Sequence, residues 1–159
     1  PDSYVAFNYQ DLAWSIGILD RTVWSDAFGV RNVPFAFDGD GILYNHETGT
    51  SDNGSVMDSF VESSAMEISQ GGDNTYLIDK IIPDLTASDD TSLAITLKTR
   101  KYPNAPDIDK GTFTVTNQTQ KISTRAKARQ MTMKIASNGT TDDWQLGDFR
   151  INVRQDGLR

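Results

Sequence analysis

Four stretches of this 159-residue chain place titratable side chains where chemistry would need them. His46-Glu47 comes first. A zinc-binding helix would require His-Glu-x-x-His, and position 50 is Thr; the chain has no second histidine and no cysteine. A satisfied or surface histidine at a strand end is the better reading. Asp38-Gly39-Asp40-Gly41 opens like a calcium loop. That pattern wants Asp or Asn at its fifth position and Glu at its twelfth, where this chain has Ile42 and Gly49. A hairpin turn fits better. Asp89-Asp90 and Asp142-Asp143 are acidic pairs, and carboxylates brought together by a fold can do acid–base work. Both pairs fall in polar stretches that read as solvated loops. There is no Gly-Lys-Ser/Thr phosphate loop and no Gly-x-Ser-x-Gly elbow, and a Ser-His-Asp triad would have to use His46.

The strongest local charge signal is a strand. From Lys121 to Arg129, Ile122, Thr124, Ala126 and Ala128 alternate with Lys121, Ser123, Arg125, Lys127 and Arg129. A period of two puts the two sets on opposite faces of a pleated backbone. Lys121, Arg125, Lys127 and Arg129 would then form a basic stripe about 27 Å long. Such a stripe could contact phosphates without reading sequence. It could equally guard an edge strand or dock an acidic neighbour. Met131, Met133 and Ile135 then continue the parity of the arginines. One face cannot turn from basic to apolar unless the chain is re-aimed. A bulge near Arg129–Gln130, or a strand crossing from one sheet to another, would do this. Trp144, Leu146, Phe149, Ile151 and Val153 read as a second long strand, broken by Gly147-Asp148 and antiparallel to the first after a turn at Asn138-Gly139.

Composition bounds the rest. With 23% charged and 37% hydrophobic residues the chain is ordinary for a soluble protein. No apolar run approaches the ~18 residues of a membrane span, so no membrane partner is expected. Without cysteine, disulfides and thiolate metal sites are excluded. The net charge of −7 is uneven. Residues 1–97 hold 3 of the 15 basic and 16 of the 22 acidic residues, a balance of −13, and residues 98–159 balance at +6. The two halves complement each other within a subunit or between neighbours, or the basic half faces a polyanion. The chain starts at Pro1, already in a strand-like segment, which leads us to expect a piece of a longer polypeptide or a processed product.

Taken in order, the chain reads as strands and turns. Tyr4–Tyr9 and Ala13–Gly17 form a hairpin, and 19–24 reads as a third strand. Phe35-Ala36-Phe37 and Ile42–Glu47 form another hairpin around the double Asp-Gly turn. These units resemble propeller blades in spacing. The polar stretch 48–55 is the expected hinge. Beyond it come strands within 56–68, a turn at Gly71-Gly72-Asp73-Asn74, strands over 75–82, 93–97 and 112–116, and an irregular segment over 102–110. The fold expectation is all-β. Residues 1–55 are β-hairpins resembling part of a β-propeller, and residues 56–159 an antiparallel β-sandwich or jelly-roll-like domain. Asn53, Asn117 and Asn138 match the glycan acceptor pattern, though turns favour the same residues.

Several phrases resemble structural proteins of tailed bacteriophages. They are Trp14-Ser15-Ile16-Gly17 with Arg21-Thr22-Val23-Trp24, Leu43–Gly49, Leu97–Pro103, Arg125–Met131, and Trp144-Gln145-Leu146-Gly147 through Arg150 to Asp156-Gly157. The group is the neck and tail-nozzle, or packaged-DNA-stabilisation, proteins of short-tailed phages. The resemblance implies a virion protein with a β-propeller and an attached β-rich domain. It also implies a ring of copies, commonly a hexamer, around the DNA exit channel below the portal. Partners would be the portal or adaptor and other tail proteins, with non-specific DNA contact in the channel. No catalytic residue, cofactor or metal comes with it. Most of the implied propeller is missing here.

The function expected is therefore structural and non-enzymatic. Two alternatives remain open. A receptor- or carbohydrate-binding tail module would stack sugars on Trp14, Trp24 and Trp144, whose core-facing parity counts against it. A glycan hydrolase would use loop carboxylates such as Asp142 or Asp143.

Overall fold

Period-two patterning prevails over any helical pattern along the chain. The computed structural model describes residues 2–68 and 74–158, and among them it contains strands and no helix. The protein is all-β, with several antiparallel sheets. Three of the four residues of the expected turn at 71–74, Gly71 to Asp73, lie outside the described residues. The chain divides into two compact units, residues 1–49 and 50–159, with the break inside the polar stretch 48–55.

In the first unit, β1 (Ser3–Asn8) and β2 (Ala13–Ile18) form a two-stranded hairpin that pairs with no third strand among the described residues. The register sets Val5 opposite Ile16 and Phe7 opposite Trp14, so Val5, Phe7, Trp14, Ile16 and Ile18 share one face. All five are exposed, Ile16 by 82% and Ile18 by 88%. On the opposite face the Tyr4 ring lies over Gly17 and leaves no room for a Cβ there. β3 (Val23–Ser25), β4 (Phe35–Phe37) and β5 (Leu43–Asn45) form a three-stranded meander. The third strand is shorter and later than the 19–24 expected.

The second unit holds β6 (Ser59–Glu62), β7 (Met66–Glu67), β8 (Asn74–Ile82), β9 (Leu85–Ala87), β10 (Leu93–Arg100), β11 (Ile108–Val115), β12 (Ile122–Ala128), β13 (Gln130–Ser137), β14 (Trp144–Leu146) and β15 (Arg150–Leu158). One sheet runs β11-β10-β13, with β6 and β7 both pairing the far side of β13; another runs β12-β8-β15; β14 pairs with β9. Leu93, Ile95 and Leu97 of β10 and Met131, Met133 and Ile135 of β13 join Ile78 and Ile81 of β8 and Ile122 and Ala126 of β12 in one buried cluster. Residues directly opposite on paired strands share a face, so Leu97 against Met133 and Ile95 against Ile135 concentrate apolar side chains on the core side.

The change of parity after Arg129 is a crossover between sheets. β12 belongs to the three-stranded sheet and β13 to the five-stranded one, with Arg129 alone between them. Its backbone is held on both sides: its N–H donates to the Arg100 carbonyl at 3.2 Å, and its carbonyl accepts from the Ile68 N–H at 3.1 Å. Two expectations are corrected here. The runs 121–135 and 144–153 do not pair with each other: β12 takes β8 and β13 takes β10, β6 and β7 as neighbours, while the second run breaks at Gly147-Asp148 into β14, which takes β9, and β15, which takes β8. The segment 102–110 is not wholly irregular either. β11 begins at Ile108, and the shift of its register against β10 between Thr96 and Lys98 absorbs the irregularity.

Candidate functional site

The basic stripe sits on the outward face of the β12-β8-β15 sheet. Ile122, Ala126 and Ala128 are buried, while Ser123, Arg125 and Lys127 between them are exposed. Lys121 is exposed just before β12 begins, and Arg129 is half-buried at the crossover after β12 has ended. The structure thus keeps Arg125 and Lys127 together on the strand and sets Arg129 apart from them.

Neighbouring strands widen the stripe into a patch. Ser123 and Asn152 both lie opposite Lys80, Lys127 and Arg154 both lie opposite Leu77, and Arg150 lies opposite Ile82. Ile122 and Ile151 lie opposite the buried Ile81, so the alternate positions point outward. Both flanking strands change register at Asp79: against β12 it faces two residues, Thr124 and Arg125, so the extra residue there belongs to β12, whereas against β15 Asp79 is itself the extra residue, a bulge in β8. That bulge lets Ile78 and Ile81, three residues apart, both face the core. The outward face therefore carries Lys80, Arg125, Lys127, Arg150 and Arg154 against Asp79 and Asp156.

The two acids are engaged. The Asp79 carboxylate accepts from Asn152 Nδ2 at 2.6 Å and pairs with the Arg154 guanidinium at 2.5 Å. Asp156 pairs with Lys127. The Asn152 hydrogen bond first, and the Arg154 guanidinium after it, hold Asp79 below the ordinary aspartate range against the opposing effect of burial. Two other carboxyls of this unit are lowered in the same way, Glu62 by Lys98 and Asp107 by Arg100. A carboxyl lowered on folding stabilises the fold above its unfolded pKa, and that stabilisation is lost as pH falls towards the folded value. The melting temperature of the second unit should be flat between pH 7 and 5 and fall below the ordinary carboxylate range. Asp79→Asn should shallow that fall in a melting series from pH 6 to 2.5.

The remaining candidates are occupied by turn and loop bonding. His46 Nε2 accepts from Arg21 Nε at 3.3 Å, and the ring lies 4.6 Å from that of Trp24. Asp38 accepts the N–H groups of Asp40 and Ile42, each at 2.9 Å, as the cap of the turn between β4 and β5. The Ile42 N–H is the main cause of its lowered pKa. Asp89 accepts from Asn117 Nδ2, and Asp142 accepts the N–H groups of Asn138 and Gly139 at 3.2 and 2.6 Å. The Asp143 backbone clasps Thr91, a residue 1% exposed: its N–H donates to the hydroxyl and its carbonyl accepts from it. Among the described residues no group of three His, Asp or Glu is placed to hold a metal ion.

The tryptophans separate. Trp144 is half-buried against the core, whereas Trp14 and Trp24 are exposed, Trp14 by 72%. The core-facing expectation fails for Trp14 because the β1-β2 hairpin leaves its apolar face exposed, and for Trp24 because its ring lies at the outside, against His46 and beside the buried Ala36.

Lys80, Arg150 and Arg154 escaped the sequence reading. They lie on strands that reach β12 only through pairings across about forty to eighty residues, and the one signal in the sequence was the basic balance of residues 98–159. No protein-family model matches the sequence, and no curated protein matches it.

Proposed function

We propose that this chain is a structural, non-enzymatic subunit of the neck or tail nozzle of a short-tailed phage. It works in a ring of copies, commonly six, that joins the portal to the tail and helps retain packaged DNA. The phrases from Trp14 to Gly157 support the family reading. The observation that carries the assembly role is the β1-β2 hairpin. A two-stranded hairpin is marginal alone in water. This one holds Val5, Phe7, Trp14, Ile16 and Ile18 exposed on one face, the kind of apolar patch that other β structure covers in an assembly.

Gold-labelled antibody to the chain, applied to negatively stained particles and to uninfected lysate, tests the reading. Label at the head–tail junction is the expected result. Label on no particle would remove the proposal.

One observation favours a second reading, a receptor- or carbohydrate-binding tail module. Trp14 is largely exposed and its ring lies 4.6 Å from that of Phe7, a platform on which a sugar could stack. Label at the distal tail tip, with a glycan-array signal lost in Trp14→Ala, would select it.

A further inference from the structure

Deepening that reading, we infer that the outward face of the β12-β8-β15 sheet is a contact surface for the phosphate backbone of duplex nucleic acid. Five cations, Lys80, Arg125, Lys127, Arg150 and Arg154, stand there against Asp79 and Asp156. The face carries a balance of +3 on a chain whose net charge is −7. Attraction of a polyanion must therefore come from this focused patch, because the molecule as a whole repels one.

The geometry matches a backbone. Flanking strands on either side of a central one stand about 10 Å apart, and Arg150 and Arg154 are separated by about 13 Å along β15. At about 3.4 Å of duplex axis per phosphate of one strand, that length spans about four base pairs. The acids orient part of the cation set. Asp79 holds the Arg154 guanidinium through one nitrogen, Nη2, and leaves its other N–H groups for an incoming oxygen. Lys80, Arg125 and Arg150 make no ion pair within 4 Å among the described residues.

The same face lacks what other partners would need. No aromatic side chain occupies an outward position on these three strands, so nothing there stacks an unpaired base. The aliphatic residues paired outward on β8 are Leu77 and Ile82, both half-buried among the cations. A protein interface is centred on desolvated apolar or aromatic anchors, which this face does not offer. Contacts to phosphate without contacts to base edges bind without reading sequence.

The test is fluorescence anisotropy of a short labelled duplex of mixed sequence titrated with the full chain. Contact with about three phosphates gives a slope of about −2.7 in log K against log salt, so affinity should drop about 40-fold between 50 and 200 mM salt. Arg125→Glu combined with Arg150→Glu should weaken binding at least tenfold and flatten the slope. Lys101→Glu combined with Lys110→Glu changes net charge equally at the β10-β11 side of the other sheet, and should leave binding unchanged. Melting curves of both double variants check that the fold survives. Absence of binding at 50 mM salt, or equal loss in both double variants, would overturn the inference. Tighter binding of polyglutamate than of duplex would overturn it in favour of an acidic protein, and tighter binding of single-stranded DNA would overturn the duplex assignment. The particle-labelling result is independent: label at the neck without duplex binding sinks only this inference, and duplex binding without neck label sinks only the assembly role.

Discussion

Leu97→Ala should destabilise the second unit by about 3–4 kcal/mol, near the middle of the range for leucines truncated in a packed core. Leu97 is 0% exposed. It sits on β10, which has β11 on one side and β13 on the other, and its cross-strand partner Met133 faces the same core. Strands paired on both edges cannot slide to fill a hole, so a cavity left here stays open. In urea unfolding followed by circular dichroism, the midpoint should fall with an unchanged slope, because the surface exposed on unfolding is the same. The melting temperature should drop by about 10–20 °C. Leu97→Met, which conserves volume, should cost less than about 1.5 kcal/mol. A loss below about 1 kcal/mol for the alanine variant would mean that the two sheets close over the gap, and that the buried cluster is not held as rigidly as its pairing implies.

Much of this core could be read from residue order because its pattern is local. Leu93, Ile95 and Leu97 alternate with polar neighbours, and the same alternation in β12 and β13 exposes its own break at Arg129. A bulge or a crossover between sheets was foreseeable there, since no single sheet face can be basic and then apolar, and the structure uses the crossover. What the order of residues did not reveal was which strands meet. β13 pairs with β6 about seventy residues earlier, and β15 reaches back to β8 over a similar separation. Those pairings depend on many weak cross-strand contacts that leave no signature in either strand alone. The bulge at Asp79 is legible only afterwards, as the reason why Ile78 and Ile81 are both buried at a spacing of three. The candidate site divides the same way. Arg125 and Lys127 stood out within one strand, whereas Lys80, Arg150 and Arg154 joined them only through the sheet. The acidic pairs stood out too, but turn and loop geometry uses them. Asp142 binds backbone N–H groups through its carboxylate, and the Asp143 main chain clasps the Thr91 hydroxyl.

Trp144→Ala should cost the second unit about 3 kcal/mol, the low end for a truncated aromatic because the ring is half-buried. Three links set that magnitude. Trp144 lies opposite Ala87 in the β9-β14 pair, so it anchors the shortest of the unit's sheets. Its ring packs against the main buried cluster. Its indole Nε1 donates to Ser59 Oγ at 3.1 Å, and that oxygen also lies 2.7 Å from Ser137 Oγ, which ties the side chain to β6 and β13. Trp144→Phe keeps most of the apolar area and removes the donor. Ser59 retains Ser137, so this variant should cost only about 1 kcal/mol, the net value of one hydrogen bond. The pair of variants separates packing from hydrogen bonding, and it also bears on function. A sugar-stacking tryptophan must keep its face in solvent, and removing such a ring changes stability little. Losses near 3 and 1 kcal/mol would make Trp144 a structural anchor and confine sugar stacking to Trp14 and Trp24. A melting shift under a degree in Trp144→Ala would show instead that the ring is free, and would return all three tryptophans to the carbohydrate reading.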